Sequence, residues 1–159
     1  MGVPVATSAR MRRVRQSGTE PELAMRKLLT SGGLRFRLHN RDLPGSPDIA
    51  NRRQRWAVFV HGCFWHSHPG CPRATLPRTN RAYWAAKCRR NVRRDRIAAV
   101  GLAAIGYRVL VAWECHINRS GNLSTNAFRF LIGGGERGSI AETQRVGRTG
   151  TLGIKRKVI

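Results

Sequence analysis

The sequence predicts a single α/β layer domain built around a mixed sheet. Three observations carry this. A helical stretch begins at Thr19, short apolar runs with strand periodicity follow it, and a long helical stretch from about Asn80 to Ile105 leads into the apolar run Tyr107 to Trp113. Helix, three strands, helix and strand in that order stack most simply as helices on a sheet. At 159 residues the chain can bury one proper core but cannot hold two ordinary domains and a linker.

Residues 1–18 are rich in Arg, Ser and Gly without apolar periodicity and read as a basic, flexible arm that orders only against a partner. Thr19 and Glu22 have the spacing of a capping box, Pro21 falls in the first turn, and Leu23, Lys27, Leu28 and Leu29 carry a helix to Gly32-Gly33. Leu34, Phe36 and Leu38 alternate with Arg35 and Arg37, the pattern of a half-buried strand ended by the polar segment His39 to Asp42. After the Pro44-Gly45 turn come Pro47 to Ala50, the charged turn Asn51 to Arg55 and the apolar run Trp56 to Val60, a hairpin with a buried second strand.

From His61 to Arg78 neither period fits. The helix that follows shows one apolar side, Cys88, Val92, Ala99 and Leu102, and places Trp84, Lys87, Asn91 and Arg94 on another, with Gly106 as its stop. The next strand runs straight into Glu114-Cys115-His116, and Asn122 to Leu131 suggest a last short helix. The domain is therefore drawn at 19–132. Residues 133–159, Gly-rich and basic with few large apolar side chains, read as a mobile tail able to touch DNA nonspecifically.

Thirty Lys and Arg against eight Asp and Glu leave a formal charge of +22, spread over nearly the whole chain. Self-repulsion on that scale favours a polyanionic partner, and nucleic acid is the expected one. A membrane is excluded as the medium, since no stretch approaches the roughly 20 apolar residues of a spanning helix. The N-terminal segment lacks the apolar core of a signal peptide, so the expected location is the cytoplasm. There the four cysteines are poor disulfide candidates, which leaves burial or metal binding.

The segment His61-Gly62-Cys63-Phe64-Trp65-His66-Ser67-His68-Pro69-Gly70-Cys71 is the most informative. Zinc takes four N or S ligands tetrahedrally, and Cys63, His68 and Cys71 can supply three from one loop, with Cys115 closing the set; His66 is the competing choice for His68. A closed set without an open position is structural and would pin a loop that no ladder holds. Cys88 reads as core. His61 and His66 are then left over, and His66, rigidly held beside the ligands, suits a general acid or base. Asp48 opens a strand one hairpin away; taken alone it is a turn former, yet a carboxylate there can hold Mg2+ against a phosphodiester. Glu22 is explained by its cap, or serves the same centre. Phe64 and Trp65 are adjacent in a polar loop, so at least one is expected at the surface, where a rigid apolar side chain can wedge between base pairs.

Several landmarks together resemble the very short patch repair (Vsr) endonucleases of the PD-(D/E)xK superfamily. They are Met11-Arg12, Thr19-x-x-Glu22, Leu43-Pro44-Gly45-x-Pro47-Asp48, Val58-Phe59-Val60-x-Gly62-Cys63-Phe64-Trp65-His66, Tyr83-Trp84-x-x-Lys87, Asn91-x-x-x-Asp95 and Val109-x-x-x-Trp113-Glu114-Cys115. The resemblance implies a restriction-endonuclease-like three-layer fold and nicking of one strand of double-stranded DNA 5' of the T in a T:G mismatch. It implies Mg2+ on Asp48 and the Val60 backbone carbonyl, His66 activating the attacking water, and Glu22 and His61 supporting waters around the metal. It also implies structural Zn2+ on Cys63, His68, Cys71 and Cys115. Met11, Phe64, Trp65 and Trp84 would intrude into the duplex, with Lys87 and Asn91 contacting the mismatch or the backbone. The superfamily's usual Glu-x-Lys is replaced by Phe59-Val60-His61, so a lysine mechanism does not carry over. A monomer at the nucleoid, with mismatch-repair proteins as the class of partner, completes the expectation. Two other readings stay open: a zinc-stabilised DNA-binding module that never cuts, and a nuclease with a restriction or mobile-element substrate.

Overall fold

A computed structural model describes residues 17–120, 125–134, 136–146 and 151–157. Most of the expected arm, Met11 included, lies outside the described residues. The order is α1 (Glu20–Ser31), β1 (Ile49–Asn51), β2 (Trp56–His61), a 3-10 turn (Pro72–Ala74), α2 (Arg81–Ala104), β3 (Arg108–Trp113), α3 (Glu114–Ser120), α4 (Thr125–Arg129), a π turn (Phe130–Gly134), β4 (Ile140–Val146) and β5 (Thr151–Lys157).

The five strands form one mixed sheet in the order β1-β2-β3-β4-β5. β1 pairs antiparallel with β2, β2 parallel with β3, β3 parallel with β4, and β4 antiparallel with β5. Strand alternation sorts the side chains onto two faces. Trp56, Val58, Leu110 and Ala112 meet Met25 and Leu29 of α1 together with Ile117, Ala127, Phe130 and Leu131. Ala57, Phe59 and Val109 meet Ala98, Ala99, Leu102 and Ala103 of α2. Helices thus cover both faces, and the run of alanines on α2 brings its C-terminal half close to the sheet.

Three expectations need correction. The strand expected over Leu34 to Leu38 keeps its alternating burial but forms only one bridge, Arg37 to Ala50, with N–H···O distances of 2.7 and 3.0 Å. Along α2, Val92 is 43% exposed. The inward stripe is Trp84, Cys88, Asn91, Asp95, Ala98 and Leu102, following the 3.6-residue turn one position away from Val92. The segment expected as a tail carries β4 and β5, so a domain ending at 132 omits two strands of its own sheet. The free edge of β3 presents backbone groups that need partners, and β4 supplies them with Ile140 and Ala141 buried. Thr143 Oγ1 adds to this by accepting the Trp113 N–H at 3.1 Å. Backbone pairing needs few apolar side chains, which is why composition did not show it.

Buried Arg108 ties the π turn to the β1–β2 turn: Nη2 donates to the Leu131 carbonyl at 2.9 Å and to the Gln54 carbonyl at 2.8 Å. Among the described residues no helix is long and apolar enough to cross a membrane.

The loop that delivers Asp48 is seated directly on α2. Gly45 has φ +72°, and a Cβ placed there would lie 2.1 Å from the Ala98 Cβ. Gly45→Ala therefore combines left-handed backbone strain with a clash between two elements that cannot both yield. We expect a loss of about 2 kcal/mol or more in denaturant unfolding; unchanged stability would contradict this seating.

Candidate active site and metal centre

The site sits where β2 and β3 end side by side. Their parallel register pairs His61 with Trp113, so the loop after β2 and the start of α3 leave the sheet together. Two clusters of ligand-type side chains form there.

In the first, the ligand atoms of Cys63, His68, Cys71 and Cys115 all lie within 4.8 Å of one another. His68 Nδ1 is 3.4 Å from both Cys63 Sγ and Cys115 Sγ. The loop turns tightly to achieve this, with the His68 N–H on the Cys63 carbonyl at 2.9 Å and the Cys71 N–H on the His68 carbonyl at 3.2 Å. The His68 ring also stacks on Trp113 at 4.1 Å and 8°. Burial pushes the Cys63 and Cys115 thiols up and the His68 imidazole down, so without a cation all three favour their neutral forms. Three sulfurs and one neutral imidazole at this spacing fit a tetrahedral ion, whose binding would release the thiol protons. His68, rather than His66, keeps company with the cysteines. Cys88 stands apart, buried, with its thiol 3.4 Å from the Phe64 carbonyl.

The second cluster is His61, His66 and Asp95. His66 Nδ1 is 2.5 Å from Asp95 Oδ2, and the His66 ring stacks on His61 at 3.9 Å and 6°. His61 meets the edge of Trp113 at 5.4 Å. An ionised carboxylate only accepts, which assigns the shared proton to Nδ1 and leaves Nε2 of a neutral ring as the acceptor. Asp95 appears in the sequence only as a landmark of the resemblance, in Asn91-x-x-x-Asp95, and is given no role there. Its signal was a carboxylate on the inward stripe of α2, where an apolar residue would otherwise belong.

Asp48 belongs to the same centre. Its Oδ2 accepts the Val60 N–H at 2.8 Å, just beyond the last β1–β2 pair, Ile49 with Val58. Because Ala50 spends its backbone groups on Arg37, Val58 and Val60 turn theirs toward β1, and pleating directs the Val60 carbonyl to the same side as its N–H. Burial raises the Asp48 pKa from 3.8 to about 6, opposed by the Val60 N–H, reinforced by the Glu22 carboxylate, and opposed again by the charges of His66 and Arg26. Glu22 is buried and accepts from the Gly18 N–H at 2.9 Å and the Thr19 hydroxyl at 3.0 Å. Thr19 is the N-cap residue, but its hydroxyl is spent on Glu22 and makes no cap bond. The expected reciprocal box is thus replaced by a carboxylate fixed from three sides, with Arg26 Nη2 at 3.3 Å as the third.

The aromatic residues lie on the flank. Phe64 and Trp65 are half-buried, edge-on to each other at 5.0 Å, and both contact Trp84, which is only 3% exposed and so backs them rather than presenting itself. Lys87 Nζ lies 5.0 Å from the Trp65 ring centroid and 5.5 Å from that of Trp84. The Asn91 amide donates to the Trp65 carbonyl at 3.0 Å.

The separation of the two clusters makes a sharp prediction. Metal analysis of purified protein should find a tightly held ion in wild type and in His66→Ala, and its loss in His68→Ala and Cys115→Ala. Retention in the last two would contradict the ligand set.

The chain is similar in sequence to known proteins. The model of the family "DNA mismatch endonuclease Vsr" matches residues 3–72. A type II nicking enzyme of Xanthomonas oryzae pv. oryzae is 49% identical over 121 residues, 76% of this chain and 88% of that one. The DNA mismatch endonuclease Vsr of Escherichia coli K12 is 38% identical over 120 residues, 76% of each chain. A type II nicking enzyme of Neisseria meningitidis is 36% identical over 107 residues, 67% of this chain and 76% of that one. With relatives at this identity and coverage, the chain belongs to the Vsr family of DNA endonucleases.

Proposed function

We propose that this protein is a Mg2+-dependent endonuclease that hydrolyses one strand of double-stranded DNA 5' of the T in a T:G mismatch, initiating very short patch repair. The observation that carries the reading is the His66–Asp95 pair, with the His66 ring stacked on His61 and its charge acting on the half-buried Asp48, beside which stands the buried carboxylate Glu22. A pure DNA-binding module has no use for an oriented base beside a cation-ready acid.

Asp48 and the Val60 carbonyl are the proposed Mg2+ ligands. Asp48 fits, since a carboxylate whose ionisation is opposed by burial gains most from a cation placed against it. When bound, the ion supplies charge stabilisation to the phosphoryl oxygens. His66 Nε2 takes the proton of the attacking water, and Asp95 holds Nδ1–H and stabilises the imidazolium that results. The water oxygen bonds to phosphorus as the P–O3' bond breaks. Solvent protonates the departing 3'-oxygen, and the 5'-phosphate stays on the thymidine. His61 fixes the plane of the base by stacking on it, and Glu22 and His61 would support waters around the ion.

Cys63, His68, Cys71 and Cys115 are assigned a structural Zn2+. Phe64 and Trp65, backed by Trp84, are the proposed wedge, Met11 a further intruding residue, and Lys87 and Asn91 the contacts to the mismatch or backbone. The helix–sheet–helix layers support a restriction-endonuclease-like core. The reading places a monomer at the nucleoid in the cytoplasm, with mismatch-repair proteins as its class of partner. Relatives named as nicking enzymes, without mention of a mismatch, favour a second reading of the substrate alone, a nuclease not restricted to T:G.

Duplexes with T:G, T:A and C:G at one position decide between the readings. We expect a Mg2+-dependent single nick at T:G only, slowed on the order of 1000-fold in His66→Ala, with Asp95→Asn also impaired. Equal nicking of all three duplexes would move the substrate assignment; binding without nicking would end the enzymatic one.

The raised pKa of Asp48 has a defined sign in stability. A carboxyl at 3.8 when unfolded and about 6 when folded stabilises the fold below 3.8, and that contribution is lost as pH rises through 6. Ionised Asp48 therefore costs on the order of 3 kcal/mol at neutral pH. Without added Mg2+, Asp48→Asn should melt higher than wild type at pH 7.5, with the gap closing toward pH 4, and should not nick. A lower melting temperature at pH 7.5 would contradict the cause given for the shift.

A further inference from the structure

Arg26 is one turn beyond Glu22 on α1 and is not among the residues the nicking mechanism above uses. Its side chain is 23% exposed, and it faces the carboxylates of the centre: Nη2 lies 3.3 Å from Glu22 Oε2, and its charge acts on Asp48. The Glu22 contact is the longest of three, since the Gly18 N–H at 2.9 Å and the Thr19 hydroxyl at 3.0 Å already hold that carboxylate. Among the described residues the Nε of Arg26 is buried without a hydrogen-bond partner. Nε and Nη2 form the edge of a guanidinium that pairs with two oxygens of one anion. Here one nitrogen of that edge has a long contact and the other has none, though an unpaired buried donor is costly.

A guanidinium tethered this loosely beside the groups proposed to cut a phosphodiester is matched in charge and shape to a phosphate. We propose that Arg26 is a phosphate-binding residue of the nicking centre, which turns its Nε–Nη2 edge from Glu22 to the two non-bridging oxygens of one DNA phosphate at or next to the cleaved bond. The inference rests on the nicking function proposed above. It adds a positive side chain, beside the proposed Mg2+, to a centre whose carboxylates Asp48, Glu22 and Asp95 repel the incoming phosphate. Glu22 keeps its two shorter hydrogen bonds when Arg26 leaves, so the exchange does not strand a buried carboxylate.

The test pairs protein variants with substrate variants. Single methylphosphonates, which remove one phosphate charge at a time, are walked across the nick site of a T:G duplex. Wild type, Arg26→Gln and Arg26→Lys are compared, with circular dichroism and metal content as checks of folding. The expected result is a kcat lowered on the order of 100-fold in Arg26→Gln with a much smaller change in KM, and partial recovery in Arg26→Lys. One methylphosphonate position should slow wild type strongly yet slow Arg26→Gln no further, because the contact is already gone. Additive effects at every position would overturn the proposal, as would nicking by Arg26→Gln at the wild-type rate. If Arg26→Gln does not fold, the same coupling is read in Arg26→Lys, whose displaced charge should weaken it at that position alone; an unaltered coupling pattern there overturns the proposal. Failure of wild type to nick any duplex would instead remove the function on which the inference rests, and the inference with it.

Discussion

The convergence of Cys63, His68 and Cys71 on Cys115 is the constraint on which the rest of the centre depends. Between the end of β2 and the 3-10 turn at Pro72 the chain has no helix and no ladder, only turn hydrogen bonds and side-chain contacts to α2 from Cys88, Asn91 and Asp95. The ion proposed on these four side chains would fix it, by a cross-link from that loop to the first turn after β3. The parallel register of β2 and β3 makes the cross-link short, since His61 and Trp113 are paired neighbours. His66 lies between Cys63 and His68 in the chain, so an ion held by those two would also restrain it. Trp113 serves both clusters, with one ring stacked on His68 and edge-on to His61.

The second constraint is electrostatic. The chain carries only eight acidic residues against thirty basic ones, yet Glu22, Asp48 and Asp95 gather where the two histidines stand. A field of positive charge draws DNA in from solution, and the local knot of carboxylates then repels the phosphate that must be cut. Such a centre needs compensating positive charge at the point of contact, which the cation proposed on Asp48 and the guanidinium of Arg26 would supply. Burial of Asp48 serves this, because an acid that resists ionising alone is one that a divalent cation can hold.

The local sequence was most legible where residue type and spacing answer to one chemistry. The Cys/His pattern could be read because zinc ligands cluster in short loops, and the structure brings those four side chains together. α1, α2, the β1–β2 hairpin and β3 could be read because each has a clear apolar period. Asp95 was visible as a landmark of the resemblance but its pairing with His66 was not legible, and Arg26 was not legible at all: an acid and an arginine on surface-rich helices look like solvated charge until packing shows which turn faces inward. The Val92 misplacement has the same origin, since a period drawn one residue off on a long helix looks equally apolar. β4 and β5 escaped because strand pairing is chosen by an open edge elsewhere in the fold and not by their own composition. The burial of Trp84 behind Phe64 and Trp65 likewise depends on which loop closes over α2.

The central claim is that the cysteine-bound ion organises a base that is chemically separate from the Mg2+ site, and it is tested most directly by metal exchange. The ion would be stripped under conditions that leave the thiols reduced, and nicking of a T:G duplex measured after adding back Mg2+ alone, Zn2+ alone, or both. The account predicts activity only with both, in proportion to the Zn2+ bound. Full activity of verified zinc-free protein with Mg2+ alone would contradict it.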